Sequence, residues 1–430
     1  MLAKVAIDCL KANSKSQLQE EIFLKLAQTR ADFAIVLVQR LIQANSTVED
    51  MKTLLTIVWT TIESLRGSFE RVVPEADALY YRSLLKLLFL AVRIHAEAKP
   101  QPSDENFGAS LRMAESATIV PTIINILKYV VSMGLRELVT AVHDSPADSS
   151  PEDIALLTGI MQSCLRIPGI ELYHPQIVSM MITNCTARVA TTLFSWSDTL
   201  AIDGDPIYGE LSMLFLLELS SIPLMAEQLA VDGLIGHISS ANITSYLRRG
   251  NVSPFADGAG LQRCYSIWAR GILPLLLNLL DAVQGSLATE VAVFLNQFQS
   301  LLTQCEQALD APETNRIMPQ GQPKYITLIT CSEAHSVALL IFILNGFRES
   351  LMGSVDIPEV KWDAAGILEN VEFWLGSRAL LRERLLPMGD REVDMVRKKV
   401  TTGNAVSKLE EKVMAELVGI RDVLSGGDNA

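Results

Sequence analysis

Residues 242–283 read NITSYLRRGNVSPFADGAGLQRCYSIWARGILPLLLNLLDAV. A short segment ends in Arg248-Arg249-Gly250, and a loop with Pro254, Gly258 and Gly260 follows. A long apolar helix is predicted to leave that loop. Leu261, Tyr265, Trp268, Ile272, Leu275, Leu279 and Val283 recur at three- and four-residue spacing and share one face. Leu273, Leu276, Leu277 and Leu280 widen that face most of the way round, so neighbours must cover the helix on two sides. Pro274 lacks a donor and meets the carbonyl of Arg270, which predicts a kink that Gly271 eases. A helix covered on two sides belongs to stacked layers.

Outward from this stretch the same texture continues. Leu2, Val5, Ala6, Cys9 and Leu10 have helical spacing, and Leu18, Ile22, Leu26, Phe33, Leu37 and Leu41 extend it as the expected inner stripe. Ser46 and Glu49 form a capping-box pattern, followed by a helix through Leu54, Leu55, Val58, Ile62 and Leu65. Pro74 opens another, with Leu84, Leu85, Leu88 and Val92 inward. Polar loops are expected at 99–106, 143–151 and 310–323, with helices over 111–142, 152–166, 174–194, 211–219, 224–234, 287–309, 326–352 and 358–376. Asp203-Gly204-Asp205-Pro206 lacks the ligand series of a calcium loop, and Asp205 reads as an N-cap ahead of Pro206. Val406, Leu409, Val413, Leu417, Ile420 and Leu424 form a narrow stripe on a charged last helix. Helical pairs recur at roughly 40 residues, near the HEAT/armadillo period. The expected class is therefore all-α, a superhelical α-solenoid of irregular HEAT/armadillo-like helical pairs, with a globular helical domain as the alternative. The stack is expected to span 1–389, amphipathic capping helices 390–424 and a disordered tail 425–430.

The 430 residues are 49% hydrophobic and 20% charged, with a net charge of −13. An acidic chain repels phosphate backbones, which argues against nucleic acid as a partner. Mean hydropathy is +0.27, yet no unbroken apolar run reaches the ~18 residues of a membrane span, so direct membrane insertion is not expected. The N-terminal residues lack signal-peptide architecture, because Asp8 and Lys11 interrupt the apolar run, which places the chain in the cytosol or nucleus. The six cysteines contain no Cys-x-x-Cys pair and read as buried reduced thiols. No histidine pair has zinc-protease spacing, and His335, between Ala334 and Val337, reads as a hydrogen-bonded core residue. Gly258-Ala259-Gly260 lacks the strand and third glycine of a dinucleotide fingerprint. The paired acids Glu20-Glu21 and Glu410-Glu411 read as solvated. No catalytic, cofactor or metal site is expected.

Ser245-Tyr246-Leu247-Arg248-Arg249-Gly250, Ser253-Pro254-Phe255-Ala256-Asp257-Gly258, Leu261-Gln262-Arg263 and the run Trp268 to Leu276 carry a resemblance. The stretch resembles the large helical-solenoid scaffold nucleoporins of the nuclear pore inner ring, and among them the smaller of the two related fungal subunits. Members of that family are several times longer, so the resemblance implies a C-terminal fragment. It implies an architectural role without catalysis or cofactors. The implied partners are other nucleoporins, both adaptor or linker subunits and channel-lining Phe-Gly-rich ones, with transport receptors as a further class. Weak Phe-Gly binding in inter-helix grooves is a further expectation, and a karyopherin-like receptor carrying cargo is the alternative. Tyr265 and Trp268 read as core. Phe255, in a loop between Pro254 and Asp257, is the residue singled out for partner contact.

Overall fold

The computed structural model describes residues 2–13, 20–43, 49–67, 69, 73, 75–97, 119–311, 325–350, 356–397 and 406–426. The expected capping box at Ser46, the helix start at Pro74, the loop 99–106, most of the loop 310–323 and the end of the tail lie outside these residues. The described residues are helical and joined by short turns, with only two isolated bridges, Ile202 with Asp205 and Ile326 with Leu385. This is an all-α fold of the solenoid kind, in which helices pack on helices up to a few elements away in the chain. The chain divides into two compact units, Met1–Ala190 and Thr191–Ala430.

In the first unit α1 (Leu2–Asn13) packs on α2 (Glu20–Gln43) and α3 (Glu49–Arg66), which both pack on α4 (Glu75–Glu97). The buried face of α2 differs from the expected stripe. Ala27, Ala31, Ala34, Val38 and Leu41 point inward, whereas Ile22 and Phe33 are 54% and 51% exposed. Small side chains let α1 and α4 approach closely, and that contact outweighs the burial of the larger residues opposite. α5 (Ile119–Asp144) contains a wide π-helical stretch, Ile126–Met133, and packs on α6 (Pro151–Leu165). The helix expected over 174–194 is two, α7 (His174–Thr183) and α8 (Thr186–Ser195), bent by 55°. Cys185 sits in the left-handed region at φ 56°, which ends α7. Ion pairs join layers: Arg66 to Glu137 at 2.7 Å and Arg82 to Asp153 at 2.6 Å.

In the second unit α9 (Ile207–Ser220), α10 (Pro223–Val231), α11 (Leu234–Ser240) and α12 (Asn242–Leu247) lead to α13 (259–283). The misfit that Pro274 brings is met one turn earlier. The preceding turn, Ile267–Ile272, is π-helical, and the Leu273 N–H reaches back to the Trp268 carbonyl. The wider turn takes up the misfit, so the α-helix restarts at Leu273 with proline in its first turn, where no donor is missed. Gly271 serves packing: a Cβ there would lie 2.3 Å from Met213 Cγ of α9.

The helix expected over 287–309 breaks at Gln297-Phe298 into α14 (Ala288–Asn296) and α15 (Gln299–Ala308). α16 (Leu328–Ser350) follows. Residues 358–362 are extended rather than helical, because Asp363, not Pro358, caps α17 (Ala364–Gly376), its carboxylate accepting the Gly366 N–H at 3.0 Å. α18 (Arg378–Arg384) and α19 (Asp390–Arg397) precede α20 (Lys408–Ser425), which lies on α16, α17 and α19. Leu409, Val413, Leu417 and Ile420 form its buried stripe. Glu410 is buried, contrary to the solvated reading, because Arg382 Nε donates to its two oxygens at 2.7 and 2.9 Å. His335 is hydrogen-bonded as expected, to Glu416 at 2.7 Å, but is half-buried rather than in the core. It is wedged against Gly419, where a Cβ would meet its ring at 2.5 Å.

Ile119–Asp144, Ala259–Asn296 and Leu328–Ser350 are long and apolar enough to cross a membrane by length and composition. In this fold 44–56% of each apolar window is buried inside the protein, which accounts for much of the high hydropathy.

Candidate docking surface

The loop from Arg248 to Gly258 is held in place from both ends. Arg248 donates to the Ser239 carbonyl at 2.8 Å and to Gln297 Oε1 at 2.7 Å, with its guanidinium over the Phe298 ring. Gly250 turns the chain at φ 72°, where an added Cβ would also press on Ser300 Cβ at 2.8 Å. Val252 and Pro254 are buried. The Phe255 N–H donates to Ser253 Oγ at 3.0 Å, and Gln262 donates to the Ala256 carbonyl at 2.7 Å. This tethered loop presents Phe255 to solvent, 46% exposed. Tyr246 at the end of α12 is 40% exposed, with Arg249 over its ring.

Asp205 is not the N-cap expected of it. Asp203 and Gly204 both have positive φ and close a two-residue turn in which the Ile202 and Asp205 main chains exchange both hydrogen bonds. The turn faces the start of α13, and a Cβ on Gly260 would lie 2.3 Å from the Gly204 carbonyl oxygen. The Asp205 carboxylate is thereby free to take Arg263 in a two-pronged bond at 2.9 and 3.0 Å. Arg263 also bonds Glu210, whose other oxygen accepts from Ser266 at 2.5 Å. The hydrogen bonds to Asp205, opposed by burial and reinforced by Glu210, hold the guanidinium firmly charged.

Beside this bridge a cleft of about 390 Å³ opens between the turn and α13. Pro206, Ile243 and Leu261 line its apolar side, Asp198 and Asp203 its acidic side, and Tyr246 stands at it. A second cleft, of about 290 Å³, lies in the first unit between α4 and α6, over Phe89. Among the described residues, Val231 at 80% and Leu172 at 70% are the most exposed of the large apolar side chains.

Tyr265 and Trp268 lie in the core as expected, donating to the two oxygens of Glu333 at 2.5 and 2.7 Å. Burial raises the Glu333 pKa to about 7, against those two hydrogen bonds, but Glu333 lines neither cleft. Burial pushes the Cys164, Cys305 and Cys331 thiols upward, so each stays protonated and non-nucleophilic. Among the described residues no group of three His, Cys, Asp or Glu could hold a metal ion. The sequence reading placed Phe255 correctly at the surface. It missed the Asp205–Glu210–Arg263 bridge, Glu333 and the cleft, whose parts lie up to 68 positions apart in the chain. The one available signal was a charged residue, Glu333, inside an apolar helix.

The comparisons agree with one another. Residues 54–424 match the family described as the nuclear pore protein NUP188 C-terminal domain. The chain is 40% identical to Nucleoporin NUP188 of Chaetomium thermophilum, with 99% of this chain and 24% of that protein covered. It is 25% identical to Nucleoporin nup184 of Schizosaccharomyces pombe, over 82% of this chain and 21% of that one. A solved structure, Nup188(aa1445-1827) from Myceliophthora thermophila, superposes with a TM-score of 0.74 at 43% identity, covering 87% of this chain and 98% of its own. The chain thus spans about a quarter of the length of the Chaetomium relative. With a family match across most of the chain and a shared helical fold at that identity, the chain belongs to the Nup188 C-terminal domain family of nucleoporins.

Proposed function

We propose that the chain is a structural module of the nuclear pore complex at the nuclear envelope, which docks other nucleoporins and carries out no catalysis. The observation that carries this reading is membership of a nucleoporin family over residues 54–424. The helical layers support it, since they offer apolar surface and the buried thiols offer no nucleophile. The relatives named above are nucleoporins, which favours a scaffold over a cargo-carrying receptor. Asp390–Leu424 serves as the end cap of the stack.

Within this role, exposed Phe255 and the cleft beside Tyr246 form the docking surface for Phe-Gly-rich or linker segments. One Phe buried in such a slot contributes roughly 1.5–3 kcal/mol before ordering costs, so single contacts are weak and many must act together. Methyl-detected NMR titration with Phe-Gly repeat peptides, against Phe→Ser controls, tests this. Shifts near Ile243 and Leu261 with the Phe peptides alone are expected, and they should weaken in a Phe255→Ser chain. Equal shifts with both peptide sets, or none with either, would leave a purely architectural role. A fluorescent fusion of the chain expressed in a fungal cell should collect at the nuclear rim, and an even distribution would count against the whole reading.

A further inference from the structure

Residues 356–363 do not loop away between α16 and α17. They run extended along α14 and α15, and side chains of those helices grip their main chain. Thr289 Oγ1 donates to the Asp356 carbonyl at 3.2 Å, Asn296 Nδ2 to the Glu359 carbonyl at 2.9 Å, and Gln299 Nε2 to the Lys361 carbonyl at 2.8 Å. The Asp363 N–H donates to Glu306 Oε1 at 2.8 Å. The four gripping residues keep the order of the residues they hold, so strap and helices run the same way. The lengths also agree. Along α14 the three steps from Asp356 to Glu359 span ~10 Å when extended, and the helical rise from Thr289 to Asn296 is ~10.5 Å.

The strap buries two aliphatic side chains and leaves its charged ones outside. Ile357 and Val360 are buried, at 4% and 8%, while Asp356, Glu359, Lys361 and Asp363 face solvent. The Trp362 side chain meets Cys305 of α15. Pro358 suits such a strap, because it favours extended backbone at Ile357 and brings no N–H to satisfy. Among the described residues, no main-chain hydrogen bond ties 356–362 to α14 or α15. Recognition therefore rests on side chains that read carbonyls, and these do not depend on which residue carries the carbonyl. Three apolar side chains supply the selectivity.

We propose that the α14–α15 face is a main-chain-reading peptide groove, filled here by the chain's own strap. It accepts in the strap's place an extended segment of a partner protein, with two aliphatic residues three apart and an aromatic residue two further on. A tethered strap competes at an effective concentration of order millimolar, so exchange requires a partner segment that is itself tethered nearby. This inference stands apart from the nuclear-pore reading, and it is tested on the chain alone.

The probe is a fluorescein-labelled peptide of sequence DIPEVKWDA, the strap itself, with a scrambled peptide as control. In the full chain, Ile357→Ser with Val360→Ser loosens the resident strap. Fluorescence anisotropy should show this variant binding the probe at least tenfold more tightly than the unaltered chain does. Adding Asn296→Ala and Gln299→Ala should abolish the gain. A variant with unchanged helical circular dichroism that binds no more tightly than the unaltered chain overturns the proposal. Should the loosened variant fail to fold, hydrogen exchange on the unaltered chain decides. The Asp363 amide, which the groove holds through Glu306, should exchange at least a hundredfold faster than the centres of α14 and α15. Exchange as slow as theirs makes the strap a fixed part of the core and overturns the groove.

Discussion

Glu333 should make the stability of the second unit depend on pH in an unusual direction. Its carboxyl is buried and touches the Tyr265 hydroxyl and the Trp268 indole. Burial raises its pKa from 4.5 to about 7, more than the two donors lower it. The folded state therefore holds a proton that the unfolded chain has already released, across the window from about pH 4.5 to about pH 7. The favourable contribution is complete below that window and is lost as pH rises through about 7. The difference corresponds to about 3 kcal/mol, at ~1.4 kcal/mol for each unit. Tyr265, Cys305 and Cys331, which interact with Glu333 or with one another, are all raised further by burial and stay neutral throughout. Urea unfolding at pH 5 to 8, followed by tryptophan fluorescence, reads the effect. Glu333→Gln keeps one acceptor, leaves the other donor poorly matched and cannot ionise. It should be less stable than the unaltered chain at pH 5 by about 1–3 kcal/mol, and should approach or overtake it at pH 8. All other groups are common to the two proteins and cancel in the comparison. If the two stabilities run parallel from pH 5 to pH 8, Glu333 is not the titrating group and the reasoning fails.

Other variants probe the remaining contacts. Gly260→Ala drives a Cβ to 2.3 Å from the Gly204 carbonyl oxygen and should cost about 1–3 kcal/mol in denaturant unfolding, with little change at the control Gly236→Ala, where nothing lies within 4 Å. Arg263→Met leaves Asp205 and Glu210 without their cation; because the site is part-exposed, a loss of about 1–3 kcal/mol is expected, shrinking when Asp205→Asn is added. Leu417→Asp puts a charge into a fully buried position between α20 and its neighbours and should cost about 3–5 kcal/mol, with faster amide exchange along α20. Unchanged stability and exchange there would mean that α20 is a free arm and not a cap.

The helical class was legible because it rests on local spacing. Residues 261–283 carry apolar side chains on nearly every face, and the structure buries Ile267, Trp268, Leu273, Leu275, Leu276 and Leu279 on several sides of one helix. The stripe Leu409, Val413, Leu417 and Ile420 was equally direct. Hydrophobicity alone misread α2, since close packing through Ala27, Ala31 and Ala34 depends on what the neighbouring helices bring. Asp205 and Pro206 have the residue types of a helix start, but the cap was displaced by an arginine 58 positions later. Extended residues 356–363 carry no strand alternation with a partner strand, because the hydrogen bonds that hold them come from helix side chains. Phe255 could be placed at the surface from its loop, whereas the cleft beside Tyr246 is assembled from residues between 198 and 264 and has no linear signature.

The charged pairs between elements point to the kind of work the fold does. Arg66 with Glu137, Arg82 with Asp153, Arg263 with Asp205 and Glu210, and Arg382 with Glu410 each join one helix to another, 28 to 71 positions away. Pairs of this sort add little net stability, because desolvation offsets much of the attraction. A shifted register, however, would strand a charge without its partner, and that penalty is large. Such contacts fix how each helix sits on its neighbour within a unit. Fixed helices in turn hold surface features at set positions: the loop that presents Phe255, the acidic cleft, and the row from Thr289 to Glu306 that grips a main chain. Here the strongly perturbed acid, Glu333, is satisfied by Tyr265 and Trp268 inside the packing, and the buried thiols are neutral. The interior polar chemistry specifies geometry, and the side chains left for partners are the ones that geometry holds outward.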